Sequence, residues 1–223
     1  MTAASRKPSS PGALTILYAI VDDAACAARG LDPAVVAAAC LRGGARFLQV
    51  RWKTPSTAGF LALAAAVVRD ASSFDARIII NDRADVARMA GAAGVHVGQD
   101  DLDVESARRI VGSAAIVGIS THDRQQVDAA LISSASYIAV GPVFDTRTKE
   151  TGYDARGLAL VEYAAGRGKP VVGIGGITLE RAGAVLEAGA SAVAVISDLI
   201  AHGDVETRAR AFVSALPARP FKV

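Results

Sequence analysis

Cysteine is scarce. Cys26 and Cys40 are the only two in 223 residues, and they form no CxxC pair and have no His-x-x-x-His partner nearby. That argues against a zinc site or a disulfide scaffold and for a reducing, cytoplasmic setting. Net charge is also nearly absent: 24 Lys and Arg against 22 Asp and Glu leave +2. No bulk attraction to nucleic acid or to an anionic membrane follows, so any anion site must be local. Long apolar runs are expected to be missing too, because charges break each stretch before the roughly 18 residues that a membrane span requires. The opening MTAASRKPSSPGA lacks the apolar stretch of a signal peptide and reads as a disordered lead-in over residues 1–13. With no linker and no compositional break, residues 14–218 read as one soluble domain.

What the chain has is alternation. Short β-branched runs at 14–22, 45–52, 77–82, 94–98, 115–120, 137–144, 170–177 and 192–197 predict strands. Ala-rich amphipathic segments at 33–42, 56–70, 84–90, 103–111, 123–133, 157–167, 179–188 and 204–216 predict helices between and after them. The strands are almost continuously apolar, as in a parallel sheet covered on both faces. Pro33 suits a first helical turn, Asp103 suits an N-cap, and Gly43, Gly91, Gly112, Gly168 and Gly189 suit left-handed helix ends. Eight β-then-α units without a leftover strand predict a single closed (β/α)8 TIM barrel rather than an open sheet.

In such a barrel the active site lies at the C-terminal ends of the strands, and the polar residues fall there. Gln49, Arg51 and Lys53 at the end of strand 2 share one face at i, i+2, i+4. They read as a clamp for a phosphate or diphosphate, against a solvated strand end as the plain alternative. Asp82 and Asp101 end neighbouring strands, and two carboxylates brought together call for a cation, with Mg2+ the natural choice beside phosphate oxygens. The small residues of GIGGI and AVAVIS suit a phosphate held by main-chain N–H groups. Thr146, Thr148 and Lys149 place two hydroxyls and an ammonium in one loop, which a solvated turn would also explain. His122 reads as a structural histidine, His96 as a barrel or rim residue and His202 as solvent-facing. Trp52 is expected to pack on the outer helices.

Together YAIVDD, the Gln-x-Arg-x-Lys of 49–53, Asn81-Asp82-Arg83, GVHVGQDD at 94–101, the Gly-x-Ser-x-His of 118–122, GPVFDTRTK at 141–149, VVGIGGIT at 171–178 and AVAVIS at 192–197 resemble the thiamine-phosphate synthase family. The resemblance runs from about Leu17 to Ser197. It implies a transferase that joins an aminopyrimidine diphosphate to a thiazole phosphate, releasing pyrophosphate, with one Mg2+ per subunit. It assigns Gln49, Val50, Arg51, Trp52, Lys53, Asn81, Ser120 and Lys149 to the pyrimidine diphosphate, with Arg51, Lys53, Lys149 and Ser120 as the catalytic set. Thr146, Arg147, Thr148, Gly176, Ile196 and Ser197 fall to the thiazole phosphate, and Asp82 and Asp101 to the metal. The partners implied are small molecules, not nucleic acid or membrane; oligomeric state stays open. Two residues depart from the family pattern: Val21 stands where threonine is usual, and Asp145 replaces the usual proline, adding a negative charge to an anion-binding loop. A thiazole tautomerase on the same barrel, using His122 as acid or base, and a non-catalytic phosphate-binding barrel are the alternatives.

Overall fold

A computed structural model describes residues 15–53, 56–146 and 154–216. Eight strands close into a barrel in chain order, with β1 completing the circle against β8. They are β1 (Leu17–Asp22), β2 (Phe47–Arg51), β3 (Arg77–Asn81), β4 (Gly94–Val97), β5 (Ile116–Thr121), β6 (Tyr137–Val140), β7 (Val171–Ile174) and β8 (Ala192–Val195). The helices are α1 (Asp23–Ala27), α2 (Pro33–Arg42), α3 (Thr57–Ala71), α4 (Ala84–Ala90), α5 (Val104–Val111), α6 (Arg124–Ile132), α7 (Gly157–Ala164), α8 (Leu179–Glu187), α9 (Ser197–Ile200) and α10 (Val205–Ala215). Every strand pair is parallel, so all strands end at the same rim.

Strand periodicity divides the core in two. Leu17, Ala19 and Val21 point outward into the layer shared with the helices, while Tyr18 and Ile20 point into the barrel with Phe47, Ile79, Tyr137 and Val172. Tyr18 stacks on Phe47 at 3.9 Å, and Tyr137 meets both edge-on at 5.9 and 5.7 Å. The interior is therefore a packed aromatic core. Asp22, Asp32, Ser56, Asp103, Asp123 and Asp204 cap α1, α2, α3, α5, α6 and α10 by accepting main-chain N–H groups, each contributing about 1 kcal/mol.

Several expectations are corrected. The sequence reading missed α1 and α9, one turn each, because neither is long enough to show a helical period. Strand 6 ends at Val140 rather than 144; Gly141 still donates to the Thr121 carbonyl at 3.1 Å, and Pro142, joined to it by a cis peptide, has no N–H to continue the ladder. Strand 7 ends at Ile174 because Gly175 and Gly176 turn at φ 101° and 61°. Gly43 is right-handed at φ −67°; its neighbour Gly44 takes the positive φ. What Gly43 supplies is space, since a Cβ there would come within 2.7 Å of the Ala209 Cβ on α10. Finally, α3 with the short 3-10 turn after it forms an apolar helical run, Thr57–Phe74, long enough by length and composition to cross a membrane. Its Phe60, Ala64, Val67 and Ala71 face the barrel's outer layer.

Candidate active site

The rim of β1 to β4 gathers charge. Arg51 at the end of β2 pairs with Asp22, the last residue of β1, and both side chains are nearly out of water. Asp22 also accepts from the Ala25 N–H at 2.8 Å, so one carboxylate caps α1 and fixes the guanidinium. Lys53 reaches across to Asp82 at the end of β3, and its main-chain N–H donates to Asp23 Oδ1 at 3.2 Å. The cations of the clamp are thus met by the protein's own carboxylates. A ligand anion would enter beside them rather than find bare charge. Arg51 Nε remains buried with no hydrogen-bond partner among the described residues, an orphan donor that a ligand oxygen would satisfy.

Asp82 lies at φ 61°, a left-handed conformation that Asp tolerates better than most residues. Its N–H donates to the His96 carbonyl at 2.7 Å, turning the chain toward β4. There Asp101 is held by the Gly98 N–H at 2.8 Å. Burial raises the Asp82 pKa above the ordinary carboxylate range; Lys53 opposes the rise and the adjoining Asp101 adds to it. Two carboxylates side by side, one of them partly buried, fit a small hard cation that takes its remaining ligands from phosphate and water. Among the described residues no group of three or more His, Cys, Asp or Glu forms a metal cage, so the pair would hold an ion only in part.

Inside the barrel a line of polar groups runs beneath this rim. Gln49 Nε2 donates to Tyr18 Oη at 2.8 Å, Tyr18 Oη lies 2.9 Å from Tyr137 Oη, Tyr137 Oη lies 2.8 Å from His96 Nδ1, and His96 Nε2 lies 2.9 Å from Ser120 Oγ. All five residues are buried. Tyr137 fits because β5 carries Gly118 opposite it: a Cβ at 118 would stand 2.1 Å from the Tyr137 ring.

The opposite side of the rim, β5 to β8, is open. A cleft of about 560 Å3, including its mouth, lies between Ser120, His122 and Thr146 on one side and Gly176, Ile196 and Ser197 on the other. A Cβ on Gly176 would come within 2.5 Å of the Asp145 carbonyl, so glycine lets the β6 and β7 loops meet. Arg181 bridges them, donating to the Gly176 carbonyl at 3.0 Å and lying 5.0 Å over the Phe144 ring. Asp198 accepts from the Leu179 N–H at 3.2 Å and from Arg208 at 2.7 and 3.0 Å, tying α8, α9 and α10 together. His122 Nδ1 lies 2.6 Å from the Gly141 carbonyl, which orients its ring at the cleft wall.

Of the sequence-assigned residues, Gln49, Arg51, Lys53, Asn81, Asp82 and Asp101 belong to the β2–β4 side of the barrel, and Ser120, Thr146, Gly176, Ile196 and Ser197 line the cleft. Val50 packs wholly into the outer layer, and Trp52 packs beside Phe60 of α3 at 6.2 Å; their side chains face away from the rim. Arg147, Thr148 and Lys149 lie outside the described residues. Asp145 is exposed and does not line the cleft. Sequence reasoning gave Asp22 and Asp23 no role, although the pair ends YAIVDD at the close of strand 1. It also overlooked Tyr18 and Tyr137, whose positions in their strands give no sign that they meet.

A closed barrel with cations, adjoining carboxylates and a small-residue cleft on one rim defines an anion-handling barrel enzyme. Residues 17–199 match the family model described as thiamine monophosphate synthase, and the chain belongs to that family. Over 190 residues it is 41% identical to the thiamine-phosphate synthase of Anaeromyxobacter dehalogenans, covering 85% of both chains. The thiamine-phosphate synthase of Roseiflexus castenholzii is 40% identical over 94% of this chain and 91% of its own. Among solved structures, the thiamine phosphate pyrophosphorylase of Pyrococcus furiosus superposes with a TM-score of 0.81 at 28% identity, over 89% of this chain and 94% of that one. The chain is accordingly a transferase.

Proposed function

We propose that this enzyme makes thiamine phosphate. The thiazole ring nitrogen bonds to the methylene of the aminopyrimidine diphosphate, the C–O bond to the diphosphate breaks, and pyrophosphate leaves with the bonding pair. The observation that carries the reading is the juxtaposition of Arg51, Lys53, Asp82 and Asp101 at one rim beside the cleft. Arg51 and Lys53 face the departing oxygens, joined by Lys149 of the β6 loop. Asn81, Gln49 and Ser120 meet the pyrimidine portion, with Val50 and Trp52 contributing main chain alone. Thr146, Arg147, Thr148, Gly176, Ile196 and Ser197 take the thiazole phosphate. Asp82 and Asp101 would hold one Mg2+, which when bound offsets charge building on the diphosphate. The attacking nitrogen carries a free lone pair, so no residue need remove a proton; the barrel's work is to align two rings and stabilise a leaving anion. Small molecules are the partners, in a cytoplasmic setting consistent with two free, buried cysteines.

The test is to incubate the pure protein with both substrates, with Mg2+ or with EDTA, and measure thiamine phosphate and pyrophosphate. Equal amounts of both are expected, and none in EDTA. Arg51→Ala should lower kcat as well as raise KM, the pattern of lost transition-state stabilisation. His122→Ala should do far less. If pyrophosphate never appears and His122→Ala abolishes the only activity found, a thiazole isomerase, the reading is wrong.

A further inference from the structure

The buried line Gln49–Tyr18–Tyr137–His96–Ser120 joins two residues that meet the substrate through three that do not. Each phenol carries one proton, and a neutral imidazole carries one N–H. If every phenol and imidazole proton is spent within the line, its four consecutive hydrogen bonds can be ordered in only two ways, all donating toward Ser120 or all donating toward Gln49. Gln49 presents Nε2 to Tyr18, which selects the first. Tyr18 then gives its proton to Tyr137, Tyr137 gives its own to His96 Nδ1, and His96 must carry its N–H on Nε2, aimed at Ser120 Oγ. At one end Gln49, its amide nitrogen engaged, has its carbonyl oxygen to offer. At the other end Ser120, already accepting from His96, has its hydroxyl proton to give.

We propose that Tyr18, Tyr137 and His96 are positioning residues that polarise this chain and so set Gln49 as an acceptor and Ser120 as a donor for a ring bearing both an amino group and a ring nitrogen. The proposal rests on the synthase reading for its substrate, but the polarity belongs to the protein alone. Burial supports it: both phenols are pushed well above their ordinary pKa, so each keeps the proton that the ordering needs. Low polarity around the line also strengthens its hydrogen bonds.

The experiment reads the histidine first, without substrate. The 15N spectrum of His96 in the wild-type protein should show a protonated Nε2 and a bare Nδ1. Tyr137→Phe keeps the ring and its stacking but removes the donor to Nδ1, and the spectrum should shift toward a mixture of tautomers. In the same variant the KM for the pyrimidine diphosphate should rise about tenfold, the loss of roughly one well-made hydrogen bond, while the KM for the thiazole phosphate stays within about twofold. Tyr18→Phe repeats the measurement if Tyr137→Phe does not fold. An N–H on Nδ1 in the wild type, or an unchanged spectrum and unchanged KM values in both variants, overturns the proposal. If the spectra behave as expected and no thiamine phosphate is made, the polarised chain stands and the proposed function falls.

Discussion

At the scale of single residues, the site is a set of charges that the fold has already answered. Asp22 is nearly buried and carries both the α1 cap and the Arg51 guanidinium. Asp22→Asn separates the two roles, because asparagine caps a helix as well as aspartate does while removing the counter-charge. Stripping one partner from a buried ion pair costs on the order of 3 kcal/mol. The variant should therefore unfold at lower denaturant, and inorganic pyrophosphate should raise its melting temperature more than that of the wild type by supplying the missing anion. Equal shifts in the two proteins would show that Arg51 does not face the diphosphate. The clamp residues were legible because i, i+2, i+4 spacing fixes a shared face whatever the partner. Asp22 was not read as their partner, since the pairing depends on the register Asp22↔Arg51, which two separate stretches of sequence do not display.

At the scale of elements, the strands are short and their interior positions tightly allotted. On β5 and β6, Gly118 and Tyr137 face each other across the register, and the ring fills the volume a side chain at 118 would need. Gly118→Ala should cost about 1–3 kcal/mol through overpacking and should also displace the phenol from the polar chain. Chemical denaturation gives the first effect, and the His96 nitrogen spectrum gives the second. A variant as stable as wild type would mean that the ring has room to move. Among the described residues, sequence analysis located every strand and eight of the helices because strand and helix periods differ. The two single-turn helices and the loop-ward strand ends escaped it, being decided by local turns at Gly175 and Gly176 and by the caps.

At the scale of the whole molecule, burial sets how stability depends on pH. The thiols of Cys26 and Cys40 are pushed up from 9.0 to about 11 and about 12, chiefly by burial. Both folded values lie above the unfolded one, so their contribution is complete below pH 9.0 and is lost as pH rises toward about 11 and 12. Tyr18 and Tyr137 act with the same sign at higher pH. Melting temperature should hold from neutrality to near pH 9 and then fall, with a shallower decline in the Cys26→Ala, Cys40→Ala double variant. An identical decline in both proteins would place the alkaline loss elsewhere.

The sequence by itself determined the alternation of eight strands and their helices, the barrel they imply, and which strand ends carry charge. Hydrophobic period and turn residues are local properties, and strand ends share a rim in any parallel barrel. Only the tertiary structure decided what each charge meets: Arg51 on Asp22, Lys53 on Asp82, and a tyrosine from β1 bonded to one from β6, 119 residues away. The two ion pairs depend on the register between neighbouring strands, and the tyrosine pair on closure, which brings β1 and β6 within hydrogen-bonding distance across the barrel interior; no spacing along the chain encodes either.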